Sequence, residues 1–397
     1  MKTRNAAPPK KARRAQRGTQ PRATAARLLE FRVFLSYSHD DRKQVETVKE
    51  VLQQNHLQPM LDQHFQYGRG FHAQIRNFIA HAHVFLPLLT EGADTRKWVH
   101  QEIGYAVALG VPVLPLAIGA FNKDTAMLRE IHAIHFTEPP QRRELRKALS
   151  YQTFERLVRQ KAESDEPLYQ CAEFAGARAR LMAAYANDVY DLGFYDVVRQ
   201  KGALSSFHIP RYAITHPDWE LRYGLGKHFP GKEHCRLLRA ERIALERHAR
   251  QKGCRLIIDP YLGFKKYGPD AQRSRLQPLV EFLKSLPDSL CAVAINKGMP
   301  AIEDVTILGD WFAAESVSAK MGQGYRQTIF TRHAPTLLTK IENFDQEFDD
   351  LLRRWNWRRR DSRRLAINEI RKLIAQVEGE IAKAVPKTAA EPARTRG

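Results

Sequence analysis

The sequence predicts a parallel α/β fold for roughly its first 160 residues, followed by a second α/β or α+β domain. Three observations carry this. Short, mostly apolar runs recur between Phe31 and Phe136, the stretches between them show helical spacing, and the composition breaks at "KAESDEP" (Lys161–Pro167). Strands alternating with helices imply a sheet covered on both faces.

Each element has its own signal. "FRVFLSYS" (Phe31–Ser38) is an aromatic-rich apolar run, read as a buried strand. Ser38, His39, Asp40 and Asp41 follow as cap-type residues, and Val45, Val48 and Leu52 then mark one face of a helix. "LQPMLD" reads as the second strand. After a loop with Gly68 and Gly70, Phe71, Ile75, Phe78 and Ile79 share one side of a helix. "HVFLPLLT" is a third strand and "TRKWVHQEIGYAVALG" a third helix, its buried stripe expected at Val99, Ile103 and Val107. "VPVLPLAI" is a fourth strand whose two prolines push it toward an edge. "IHAIHF" is a fifth, followed by one helical stretch over Arg142–Gln160.

The chain has 397 residues, enough for two cores, and is 43% hydrophobic and 27% charged. It contains no apolar run long enough for a membrane span and no apolar leader. Cys171, Cys235, Cys254 and Cys291 have no CxxC spacing, which suits reduced thiols in a cytoplasmic protein and no zinc site. The net charge is +20, part of it in residues 1–28, a basic arm without acidic residues. A second basic cluster, "RRWNWRRRDSRR", lies at Arg353–Arg364. Such charge either keeps the chain soluble or attracts nucleic acid.

The second half, 168–355, opens with a helix over "CAEFAGARARLMAAYANDVYDLG". Strands are expected at "CRLIIDP", "LCAVAIN" and "VTILGDWFA", and "GYRQTIFTRH" reads as a packed strand with a polar edge. A helix over Pro335–Trp355 carries Leu337, Leu338, Ile341, Phe344, Phe348 and Leu351, and 356–397 reads as a basic helical tail. Residues 168–352 hold no GxSxG, P-loop, HExxH or GxGxxG motif. "AINKGMPAIEDVTILGDWFAAESVS" faintly resembles part of a phospholipase D-like domain, but the family's histidine falls at Ile295, leaving Lys297 alone.

"FLSYSHDD", "LQPMLD", "QYGRGFHAQIRNFIAHAHVFLPLLTEG" and "TRKWVHQEIGYAVALGVPVLPLAIG", in that order, make residues 29–160 resemble a TIR (Toll/interleukin-1 receptor) domain. The resemblance implies a flavodoxin-like sheet and one of two functions. Many TIR domains cleave NAD+ at the nicotinamide–ribose bond, by hydrolysis or cyclisation, in defence or cell-death signalling. Others are adaptors that act through TIR–TIR contacts.

Cleavage builds positive charge on the ribose, and nicotinamide leaves neutral, so one well-placed carboxylate is the minimal requirement. A charge pair at ~4 Å contributes about 4 kcal/mol at an effective dielectric near 20. Glu102 is expected to supply it: Trp98 and Glu102 form a helical row beside the apolar stripe and match the family's WxxxE motif. By the same resemblance, Ser36 and Ser38 stand where relatives place phosphate and ribose contacts. Some relatives have arginine at the position of Ser38, for which Arg69 or Arg42 stand as substitutes here. Tyr67 and Phe71 border the nucleotide, Phe71 equally well as helix core. Asp62 reads as a strand-end loop residue, and His39, His72 and His100 lack metal-ligand spacing. NAD+ is thus the expected substrate, with no further cofactor. The expected partners are further copies of the chain through the TIR domain and an unidentified ligand of a sensor-like second half.

Overall fold

The computed structural model describes residues 30–61, 71–90, 97–119, 133–164, 169–172, 175–209, 231–262, 268–299, 304–318 and 326–384. The first unit holds a five-stranded parallel sheet in the order β2-β1-β3-β4-β5. β1 is Phe31–Ser36, buried throughout because helices cover both faces of the sheet. A 3-10 turn at His39–Asp41 leads into α1 (Arg42–Gln54), which buries Val45, Val48, Val51 and Leu52. β2 (Leu57–Met60) lies at the edge, where Pro59 removes no ladder donor from an interior strand. α2 (Phe71–His81) buries Ile75, Phe78 and Ile79. β3 (Val84–Leu89) pairs with β1, and α3 (Lys97–Ala108) follows it in the chain.

Two expectations for this unit change. β4 (Leu116–Ile118) is interior, between β3 and β5 (Ile134–Phe136). Its prolines shorten the strand without expelling it, because their carbonyls carry the ladder: Phe85 N donates to Pro112 O (2.9 Å) and Ile134 N to Pro115 O (2.9 Å). The helical stretch after β5 is two helices, α4 (Arg142–Ala148) and α5 (Tyr151–Ser164), broken at Leu149–Ser150. α5 therefore runs through the first residues of the expected linker.

The second unit is a seven-stranded mixed sheet, β6-β12-β11-β10-β7-β8-β9. β6 (Tyr169–Ala172) occupies the start of the stretch expected as helix, and α6 (Ala175–Asp191) takes the rest. β7 (Val198–Gly202), α7 (Gly231–Lys252), β8 (Cys254–Ile258), α8 (Pro269–Lys284) and β9 (Cys291–Ile295) form the parallel part. β10 (Val305–Leu308), β11 (Phe312–Ser318) and β12 (Arg326–Thr331) are antiparallel, so "VTILGDWFA" spans a hairpin turn rather than one strand. The strand in "GYRQTIFTRH" is interior, between β11 and β6. Alternate residues pack on opposite faces: Leu256, Ile258, Val293 and Ile295 join one core, Ile257, Ala292 and Ala294 the other. α9 (Ala334–Arg354) covers this second face with Leu337, Ile341, Phe344, Phe348 and Leu351.

α10 (Arg359–Ala384) corrects the expected tail. Ala366, Ile367, Ile370, Leu373 and Val377 are buried in the second unit's core, and the helix packs on α8 and β9. Ser362 Oγ accepts from Val293 N (3.1 Å), and Trp355 Nε1 donates to Ile295 O (2.7 Å), blocking part of the β9 edge. The basic cluster is partly neutralised in place: Arg359 pairs with Asp349, Arg363 with Asp288 and Arg364 with Asp361.

The two units share a core in which Phe34, Phe78 and Ile103 of the first join Met182, Ala186 and Trp311 of the second. Arg32 of β1 is buried at this joint. Its Nε donates to His81 O (2.9 Å), its Nη1 to Asp310 Oδ1 (2.6 Å), and its guanidinium lies 4.0 Å from the Trp311 ring centroid. Elsewhere α9 meets α5, with Ala334 and Leu338 packed among Phe154 and Leu157.

Candidate active site

In an open parallel sheet a ligand crevice forms outside the carboxyl ends of the strands, where the strand order reverses. Here β1 pairs with β2 on one side and β3 on the other, so the switch lies between β1 and β3. Ser36 is the last residue of β1 and is buried; Tyr37 and Ser38 continue from it, half-buried. Thr90 follows β3, and its hydroxyl donates to Asp41 Oδ2 (3.0 Å), pinning the turn after β1 to the end of β3.

α3 brings Glu102 to this place. Ile103 and Ala106 are fully buried and fix the helix to the sheet, while Val107 is 58% exposed. Of the expected stripe, Ile103 is buried and Val107 is not, Val99 lying outside the described side chains; Glu102, 9% exposed, lies within the buried face rather than beside it. The helix ends at Ala108, so Val107 lies in its last turn, where Gly110 N donates to Val107 O and Val111 N to Ala106 O (both 2.9 Å).

Ser36 Oγ donates to Glu102 Oε2 at 2.5 Å, joining residues 66 positions apart. Burial disfavours the charged carboxylate and raises the Glu102 pKa to about 7, against the smaller opposing effect of the Ser36 hydrogen bond. A carboxyl group half-ionised near neutral pH and held at the strand ends can accept a proton or stabilise a cation.

The other expected site residues are placed as follows. Ser38 Oγ donates to Asp40 Oδ2 (3.4 Å), away from Glu102. Trp98 lies in the first turn of α3 and Phe71 begins α2, but their side chains fall outside the described residues, as do Tyr67, Arg69 and Asp62 altogether. Among the described residues no group of His, Cys, Asp and Glu is arranged to hold a metal. Sequence reasoning missed the Asp41–Thr90 tie. Its signal was present as an acidic residue just after strand one and a threonine just after strand three.

The family model described as "TIR domain" matches residues 33–149, and this segment is a TIR domain. A comparison with curated proteins returns no match. Among solved structures, a CMP N-glycosidase of Clostridium botulinum, BcmB, is similar at 18% identity with a TM-score of 0.24, over 30% of this chain and 97% of that chain. At that score the likeness bears on neither substrate nor mechanism.

Proposed function

We propose that the TIR domain cleaves the nicotinamide–ribose bond of NAD+, with Glu102 as the carboxylate that stabilises the reacting ribose. The observation that supports this reading most is the buried Glu102 carboxyl held by Ser36 at the strand-order switch. In the reaction the electron pair of the C1′–N bond leaves with neutral nicotinamide, and positive charge develops on C1′ and the ring oxygen. A fixed anion in a water-poor site stabilises that charge more than water does. Water then adds to C1′ and loses a proton, which Glu102 is positioned to accept; attack by the substrate's own base gives a cyclic product instead. The raised pKa leaves Glu102 only partly ionised at neutral pH, and the cationic nicotinamide ribosyl group favours its charged form.

The second unit is read as the regulatory part, with self-association of the TIR domain in defence or cell-death signalling. Among the described residues no helix is long and apolar enough to cross a membrane. Nucleic acid remains a further candidate partner for the basic arm at residues 1–28. Salt-dependent binding that vanishes on deletion of 1–27 is the outcome that supports it.

The test is chromatography of NAD+ and its products with concentrated or crowded full-length protein, wild type and Glu102→Ala. Loss of NAD+ with free nicotinamide in the wild type only is expected. If assembled wild type and variant both leave NAD+ intact, the enzymatic reading fails and a TIR–TIR adaptor takes its place.

A further inference from the structure

The resemblance gave Ser36 a contact with substrate phosphate or ribose. We propose instead that Ser36 is a positioning residue: its hydroxyl holds the Glu102 carboxyl at the end of β1, and it does not bind the substrate's phosphates. The inference rests on the reading of Glu102 above and assigns the neighbouring serine its part in that site.

The first reason is proton inventory. A serine hydroxyl has one proton to donate, and in Ser36 that proton goes to Glu102 Oε2. Phosphate oxygens near neutral pH are chiefly acceptors and need donors. A hydroxyl already donating to a carboxylate offers them only lone pairs. With Glu102 ionised, the 2.5 Å separation falls in the short range of charge-assisted O–H···O⁻ bonds, so redirecting that proton would be costly in the working form.

The second reason is mechanical. Ser36 is 6% exposed and belongs to a strand paired on both sides, in register with Pro87 of β3. Glu102 stands at the end of a longer side chain on α3, attached to the sheet through Ile103 and Ala106. The serine thus links the far end of the Glu102 side chain to a strand hydrogen-bonded on both sides. Misplacement of a reacting group by about 1 Å costs roughly 10²-fold in rate, which makes such a link consequential.

The third reason is electrostatic. Among the described residues the influences on Glu102 are burial, which favours the neutral acid, and the Ser36 hydroxyl, which favours the carboxylate. Without Ser36 only the first remains.

The experiment titrates the side-chain carboxyl carbons of the full chain by carbon-13 NMR, with the Glu102 signal assigned by its loss in Glu102→Gln. Wild type, Ser36→Ala and Ser36→Thr are compared, alongside NAD+ kinetics. In Ser36→Ala the Glu102 midpoint moves up, kcat falls roughly 10–100-fold and KM changes by no more than about twofold. Ser36→Thr, which keeps the hydroxyl, recovers most of both. A KM that rises tenfold with kcat and the Glu102 midpoint unchanged overturns the proposal and returns Ser36 to the substrate. If Ser36→Ala does not fold, Ser36→Cys, a weaker donor of similar size, is expected to give a smaller upward shift; no shift overturns the proposal. The titration needs no turnover, so a wild type that leaves NAD+ intact defeats the proposed function while the serine's hold on Glu102 is still judged by the midpoint.

Discussion

The two ends of β1 solve opposite problems with buried polar groups. Near its start, the Arg32 charge meets the Asp310 carboxylate at 2.6 Å and the face of Trp311. At its end, among the described residues, the Glu102 carboxyl is met by the neutral Ser36 hydroxyl. Burial lowers the Arg32 pKa, but Asp310 opposes it with an ion pair. For Glu102 the opposing hydrogen bond leaves the pKa near 7. A matched buried charge is a structural joint, strongly missed when one half is removed. An unmatched one weakens the fold and is retained where chemistry uses it.

The largest effect should come from breaking the joint. Asp310→Ala leaves Arg32 buried without its carboxylate and should destabilise the chain by about 3–5 kcal/mol in urea unfolding. Replacing both partners, Arg32→Met with Asp310→Ala, should recover part of that loss, since the buried guanidinium goes with its carboxylate while Asp196, which Arg32 also faces, loses a favourable charge. Equal losses in the single and double variants would show that Asp310 acts through something other than Arg32.

At the other end the sign reverses. The folded state raises the Glu102 pKa from 4.5 to about 7, so it holds the proton more tightly than the unfolded chain. Stability from this group is present below pH 4.5 and is lost as pH rises through about 7. Glu102→Gln, which cannot ionise, should therefore be more stable than wild type at pH 8 by up to about 3 kcal/mol, and nearly equal at pH 4.5. Thermal melts at the two pH values would show it. A variant less stable than wild type at pH 8 would mean that the carboxylate is matched by a partner after all.

The smallest effect belongs to the exposed basic cluster. Arg364 and Asp361 are an (i,i+3) pair at 3.4 Å with the arginine largely in solvent. Arg364→Ala should change stability by less than about 1 kcal/mol and less still at high salt. A larger loss would place this cluster with the Arg32 joint.

The same contrast marks what the sequence made legible. The first sheet was readable because β1 and β3 are apolar runs, and Glu102 because it stands in a motif beside apolar neighbours. β7 was not, although it is central, because "VRQKG" reads as surface. Its polar residues are satisfied chiefly by partners distant in sequence: Arg199 with Asp345, Gln200 with Thr306 as well as nearby Ser206, Lys201 with Glu347. Hydropathy records the side chain and not its partner. Arg32 was hidden for the same reason, since Asp310 lies 278 residues away. The exposed Val107 was missed differently, because strict fourfold spacing continued a stripe into the last turn, where Ala106 and not Val107 faces the sheet.

The most direct measurement of the central claim is the pH dependence of NAD+ cleavage by concentrated full-length protein between pH 5.5 and 8.5, with Glu102→Gln alongside. If the working form is the Glu102 carboxylate, kcat/KM rises with pH to a plateau with a midpoint near 7, and Glu102→Gln is inactive throughout. A rate that falls across that range, or a Glu102→Gln protein as active as wild type, would contradict the account.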